Sequence, residues 1–147
     1  MIDSTWIKEK FAGIKKYKPK LEEIHAKSAD EMEKDIDLQL KSERLFEIFS
    51  QVLLDICTHI ISKSNVEPPS TYSDCIKKLG ELGVLKPDTA TKGVSLVKMR
   101  NIIAPRPGEI DYQLLHEGLR ELKEDFPVFQ EEILSWIERE ELDQDTA

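Results

Sequence analysis

The residues with the clearest capacity for chemistry stand in Met99-Arg100-Asn101-Ile102-Ile103-Ala104-Pro105-Arg106-Pro107, where apolar helical periodicity meets clustered cations and two prolines. A proline ring fixes φ and removes a backbone donor, so a helix that enters this stretch must end in it. Arg100 near a helix C-terminus has two readings. Its cation complements the negative end of the helix, or, beside Asn101, it belongs with Lys98 and Arg106 to a local cationic group that could contact RNA. Asp55 and His59 form the other constellation. Four residues apart on a helix, they occupy adjacent turns, where a carboxylate can orient an imidazole that moves protons near neutral pH. A histidine on an apolar stripe also serves as a hydrogen-bonded core or interface residue. Residue types alone leave both alternatives open.

Other chemistries find no support. His25, His59 and His116 are scattered and neither cysteine belongs to a C-x-x-C pair, so no metal site is expected. There is no glycine-rich phosphate loop and no G-x-S-x-G elbow, and no cofactor is expected. The formal net charge of −8 argues against wrapping nucleic acid by general electrostatics, so any RNA contact must be local. Lys15-Lys16-Tyr17-Lys18-Pro19-Lys20 and Lys77-Lys78 read as solvated helix faces, which leaves Lys98, Arg100 and Arg106 as the group of interest.

The elements that must position these residues are helical throughout, because apolar spacing of three and four recurs and no strand alternation survives inspection. A chain of 147 residues is expected to form a single helical domain over residues 1–140, followed by a frayed acidic tail over 141–147. About five helices are expected. The first starts near Asp3 or Ser4 and carries Trp6, Ile7, Phe11, Ile14, Leu21 and Ile24 inward, kinked or split by Pro19. The second begins at the capping pattern Ser28-Ala29-Asp30-Glu31 and runs to about Ser62. Its apolar face is so broad that it is either the central helix of a bundle or a helix shared between its own core and a partner subunit. A short third helix follows the Thr71 cap and ends at Gly83, and a fourth opens at Pro87 and buries Val94, Val97, Ile102 and Ile103. The fifth, capped by Asp111, carries Leu115, Leu119, Leu122, Phe126, Phe129, Ile133 and Ile137, with Pro127 disturbing it locally. Cys57 and Cys75 read as buried thiols in a reducing compartment, so the cytoplasm is expected. The N-terminus lacks a signal-peptide pattern, and the most apolar segment, Leu45 to Ile61, is interrupted by Glu47, Asp55 and His59, so no membrane span is expected.

The order of features resembles the HepT-like branch of the HEPN proteins. Asp55-Ile56-Cys57-Thr58-His59 lies on the long helix, Pro68-Pro69-Ser70-Thr71-Tyr72 precedes the short one, Leu79 to Leu85 ends in Gly-Val-Leu, and Arg100 to Ala104 is followed by Gly108-Glu109-Ile110-Asp111-Tyr112. The match spans roughly residues 40 to 137. The resemblance implies a HEPN-like helical bundle that forms a homodimer, bringing two copies of an R-N-x-x-x-H-x-Y motif into a cationic cleft. It implies a metal-independent ribonuclease toxin, and as partner a nucleotidyltransferase (MNT) antitoxin that adds AMP to the motif tyrosine. In such a site a histidine moves a proton between the ribose 2′-hydroxyl and the leaving group while an arginine holds the phosphate.

Laid on that motif, Arg100 and Asn101 match, but Pro105 stands at the histidine position and Pro107 at the tyrosine position. Proline has no group that titrates and no hydroxyl to accept a nucleotide. The expectation is a toxin-like protein that is inactive as written, or a non-catalytic dimer that binds the nucleotidyltransferase, RNA or a nucleotide. His59 is the one histidine placed to substitute, since the long helix lines the cleft in this family.

Overall fold

A computed structural model describes residues 2–103 and 109–146. Every regular element among them is helical, in agreement with the all-α expectation. Seven α-helices and one 3₁₀ turn are present where about five helices are expected, and the difference arises at two corners.

The first corner splits the N-terminal helix. Helix α1 (Ser4–Gly13) is capped by Asp3, whose carboxylate accepts from the Trp6 N–H at 3.0 Å. A 3₁₀ turn (Lys15–Tyr17) then redirects the chain into α2 (Lys18–His25), and Pro19 sits in the first turn of α2, where a missing N–H breaks no helical bond. The second corner is Asp35. Ser28 caps α3 (Ala29–Lys34) as expected, accepting from the Glu31 N–H at 3.1 Å, but the helix does not run on to Ser62. Asp35 adopts φ −123° and ψ 106°, and its carboxylate accepts from the N–H groups of Asp37 and Leu38, starting a new helix, α4 (Ile36–Lys63). The Gln39 amide locks the corner by donating to the Met32 and Glu33 carbonyls.

Helix α4 is the centre of the bundle. By length and apolar content it could cross a membrane, yet its apolar residues face neighbours: α1, α2, α3, α5, α6 and α7 all pack on it. Leu45, Phe46, Phe49, Leu53, Leu54, Ile56, Cys57, Ile60 and Ile61 are buried within the chain. From Leu45 to Ile61 the breadth of this face is covered by the chain's own helices, as the central-helix reading expects. Among the described residues its apolar exposure is greatest at Ile36 and Leu40, 68% and 61% exposed, near its N-terminal end.

The remaining helices frame one side of α4. Thr71 caps α5 (Tyr72–Glu81), its hydroxyl accepting from the Asp74 N–H at 3.0 Å, and Gly83 leaves the helix at φ +79°, a conformation that disfavours a Cβ. Helix α6 (Pro87–Ile103) starts where Glu132 of α7 accepts from both the Lys86 N–H and the Thr89 hydroxyl, each at 2.7 Å. Val97 and Ile103 are buried as expected, but Ile102 is 63% exposed, because the α6–α5 and α6–α7 contacts draw in the stripe of Ala90, Gly93, Leu96, Val97 and Ile103. Helix α7 (Tyr112–Thr146) has all seven of its expected apolar positions buried, and it continues through Pro127. Its helix extends to Thr146. Glu141, inside that last segment, lies 3.9 Å from Lys8 of α1.

Gly93 marks a close approach of three helices. A Cβ there would stand 2.8 Å from Cγ2 of Ile76 on α5 and 3.2 Å from the Phe129 ring on α7. Gly93→Ala is therefore expected to destabilise the protein by about 1–3 kcal/mol despite the better helix propensity of alanine, as read from the urea unfolding midpoint. Unchanged or raised stability would show that the helices shift apart freely.

Candidate functional site

Arg100 projects from the last turn of α6 and is held by residues of two other helices. Its Nη2 donates to Oε1 of Gln51 on α4 at 2.7 Å, and Nε2 of the same glutamine donates to Oδ1 of Asp55 at 2.7 Å. Gln51 and Asp55 are one helical turn apart, so α4 presents amide and carboxylate as a short relay. The guanidinium carbon lies 5.6 Å from the centre of the Tyr72 ring, within reach of a cation–π contact. The arginine is thereby fixed from the side by an amide and across its plane by an aromatic ring, while Nε is shielded from solvent without a hydrogen-bond partner among the described residues. Such an orphaned donor is costly in a fold and common where an acceptor is meant to arrive.

Two hollows open at this end of α6. One, about 250 Å³, is lined by Arg100 and Ile103 of α6 with Glu43, Phe46 and Glu47 of α4. Glu47 is engaged by Arg44 at 3.1 Å, and burial pushes the Glu43 carboxyl up, so Glu43 loses its charge more readily than a solvated glutamate. Burial, with Glu43 close by, also pushes the Tyr112 phenol up. The other hollow, about 460 Å³, opens beside Asn101 between α4, the segment before α5, and α6.

The proposed pairing of Asp55 with His59 does not form. Asp55 is turned toward Gln51 and hence toward Arg100, while Nε2 of His59 accepts from the Asp3 N–H at 3.0 Å and its ring lies 4.9 Å from that of Trp6. Histidine and carboxylate diverge because the N-terminus of α1 docks beside the imidazole, leaving it bound to a structural contact. His116 is likewise occupied, its Nε2 lying 2.7 Å from the Lys27 carbonyl. Pro105, Arg106 and Pro107 lie outside the described residues. Among the described residues no group of three or more His, Cys, Asp or Glu side chains is disposed to hold a metal ion. Cys57 and Cys75 are free and buried, and burial pushes both thiols up.

Sequence reasoning missed Gln51 altogether, and it quoted Tyr72 without giving it a role. The available signal was the i, i+4 spacing of Gln51 and Asp55. Nothing in the sequence linked either to an arginine nearly fifty positions away.

Two outcomes follow. A double-mutant cycle with Gln51→Leu and Arg100→Leu is expected to show a coupling of about 0.5–2 kcal/mol in unfolding free energy, whereas independent side chains would add. Burial first, then Lys63, hold the His59 pKa below its ordinary value, partly opposed by Asp3. A histidine with a lowered folded pKa contributes stability fully above its unfolded pKa, near 6.5, and loses it as pH falls through the folded value. The unfolding midpoint should therefore fall between about pH 7 and pH 5 more steeply for the wild type than for His59→Gln, which keeps an acceptor without titrating. Parallel profiles would dissociate His59 from this pH dependence.

A family model described as ribonuclease HepT-like matches residues 14–133. The chain is similar to a tRNA nuclease HepT from Aphanizomenon flos-aquae (strain 2012/KM1/D3), 24% identical over 136 residues that make up 92% of each protein. Its fold is similar to that of a tri-AMPylated HEPN toxin of Shewanella oneidensis solved in complex with an MNT antitoxin, with a TM-score of 0.76 at 19% identity over 88% of this chain and 96% of that one. A toxin–antitoxin structure with AMP-PNP superposes with a TM-score of 0.73 at 20% identity, covering 88% of this chain and 97% of that one. From the 3₁₀ turn after α1 through most of α7, then, the matched region takes in both the relay on α4 and the arginine on α6, and the chain belongs to the ribonuclease HepT-like family.

Proposed function

We propose that this chain is the HEPN component of a cytoplasmic HEPN/MNT toxin–antitoxin pair, a homodimer descended from a metal-independent endoribonuclease whose phosphodiester chemistry is lost as the sequence stands. The observation that carries this reading is the anchoring of Arg100 by Gln51, Asp55 and Tyr72 within a family-matched scaffold. An arginine that served only to complement the end of α6 would need no such framework. Held in place, it can grip a phosphate without reorganising. Asn101 follows it, as the family motif requires, and Pro105 and Pro107 supply neither the proton transfer nor the nucleotide acceptor of that motif.

The occupation of His59 by the Asp3 N–H favours a second, non-catalytic form of this reading, in which the dimer keeps its cleft and acts by holding the nucleotidyltransferase, RNA or a nucleotide. No other histidine is brought to Arg100 among the described residues. The homodimer no longer rests on the breadth of α4, whose apolar face the chain covers itself. It rests on the family and on the apolar residues left outward, Ile36, Leu40 and Ile102.

Restoring the motif tests the reading. The doubly substituted protein Pro105→His, Pro107→Tyr is expected to arrest growth when produced in bacteria and to cleave RNA in vitro. Adding Arg100→Ala should lower cleavage by about 100-fold or more. Cleavage by the unaltered chain that is lost with Arg100→Ala would contradict the claim of lost chemistry. Failure of the restored protein to cleave would show that the ribonuclease framework itself has decayed. Sedimentation at micromolar concentration should give a dimer, and a monomer would reject that part.

A further inference from the structure

Arg100 and Asn101 are consecutive on α6, yet they open onto different hollows, and the Tyr72 ring lines the one beside Asn101. The hollow beside Arg100 is charged, with two glutamates in its wall. The one beside Asn101 is not. Among its described lining residues, from Thr58 on α4 through the stretch 69–73 and Cys75 to Val97 and Asn101, none carries a charge. A site without a cation is a poor receptor for a phosphate or a carboxylate, whose desolvation it cannot offset. Its walls instead combine apolar surface from Val97 and Pro69 with the hydroxyls of Thr58, Ser70 and Ser73 and the amide of Asn101, groups that both donate and accept. The Tyr72 ring at its rim is 42% exposed and carries the Arg100 guanidinium 5.6 Å from its centre. A volume of about 460 Å³ lies within the range of small-ligand sites.

We propose that this uncharged hollow is a nucleobase subsite, which receives a base of single-stranded RNA while Arg100 holds the adjoining phosphate. The proposal rests on the RNA-directed reading above and deepens it. A base and its phosphate are separated by one sugar, so a neutral hollow rimmed by Tyr72, with the Arg100 guanidinium 5.6 Å from that ring, matches the two ends of a nucleotide. Unstacked bases are recognised by aromatic faces and by hydrogen bonds to their edges, and Tyr72 with the hydroxyl and amide groups offers both. The net charge of −8 adds a reason: with no general cationic surface to hold the backbone, base contacts must supply much of the affinity.

The test uses the full chain and three labelled hexaribonucleotides, of adenylate, cytidylate and uridylate, with binding read by fluorescence anisotropy at several salt concentrations. The wild type is expected to discriminate among the three by about fivefold or more. Thr58→Trp fills the hollow from an exposed position on α4. It should weaken the preferred oligomer by about tenfold and level the three, while leaving the slope of log Kd against log salt unchanged. Ser73→Trp, which fills the same hollow from α5, should repeat this, and Tyr72→Phe should retain the discrimination that Tyr72→Ala loses. Arg100→Ala should weaken all three alike and flatten the salt dependence. Equal wild-type affinities, or discrimination that survives both tryptophan substitutions, would overturn the subsite and leave the RNA-directed reading standing. No binding of any oligomer would overturn both.

Discussion

The structure depends on the burial of α4. Its apolar residues occupy far more of its circumference than one neighbouring helix can cover, so they must be enclosed by several. That requirement gathers the rest of the chain around it and leaves a narrow polar margin, on which Gln51, Asp55 and His59 lie half-buried. Side chains on such a margin are held by the packing beneath them while their polar ends remain available. This is where a helical bundle can place chemistry without breaking its core.

Positioning Arg100 is then a consequence of helix packing. Helix α6 is pinned at its start by Glu132 of α7 and in its middle by the close approach at Gly93, so its last turn arrives against α4 and α5 at a set height. The guanidinium meets an amide whose other end is committed to a carboxylate, and the phenol ring of Tyr72 limits its tilt. Charge and geometry are separated in this arrangement. Asp55 lends its negative charge through Gln51 rather than through a direct ion pair, which leaves the arginine oriented without being neutralised at contact distance.

Asp55 and His59 part company while Arg100 is anchored, for a physical reason. An i, i+4 carboxylate and imidazole can meet on a helix, but each side chain also competes for whatever the tertiary fold brings alongside. For His59 that is the N-terminus of α1, whose free N–H groups need acceptors, and a neutral imidazole satisfies one of them. For Asp55 it is Gln51. The same competition explains why α3 and α4 are separate helices: Asp35 supplies a better cap than a continuing turn, and Gln39 reinforces the corner.

By itself the sequence determined the helical class, the apolar stripes of α4 and α7, the caps at Ser28, Thr71 and Asp111, the turn at Gly83, and Arg100 with Asn101 as the residues of interest. Each of these is local, since periodicity, capping and left-handed turns are set within a few residues. It also carried the family pattern, because an ordered set of short motifs survives where overall identity is low. Only the tertiary structure decided that α4 is enclosed by its own chain, that Ile102 faces outward, that α7 stays helical to Thr146, and that His59 belongs to α1. It alone joined Gln51 and Tyr72 to Arg100, because those contacts cross three helices, and which residues meet across helices depends on how the core packs rather than on the spacing within any one of them.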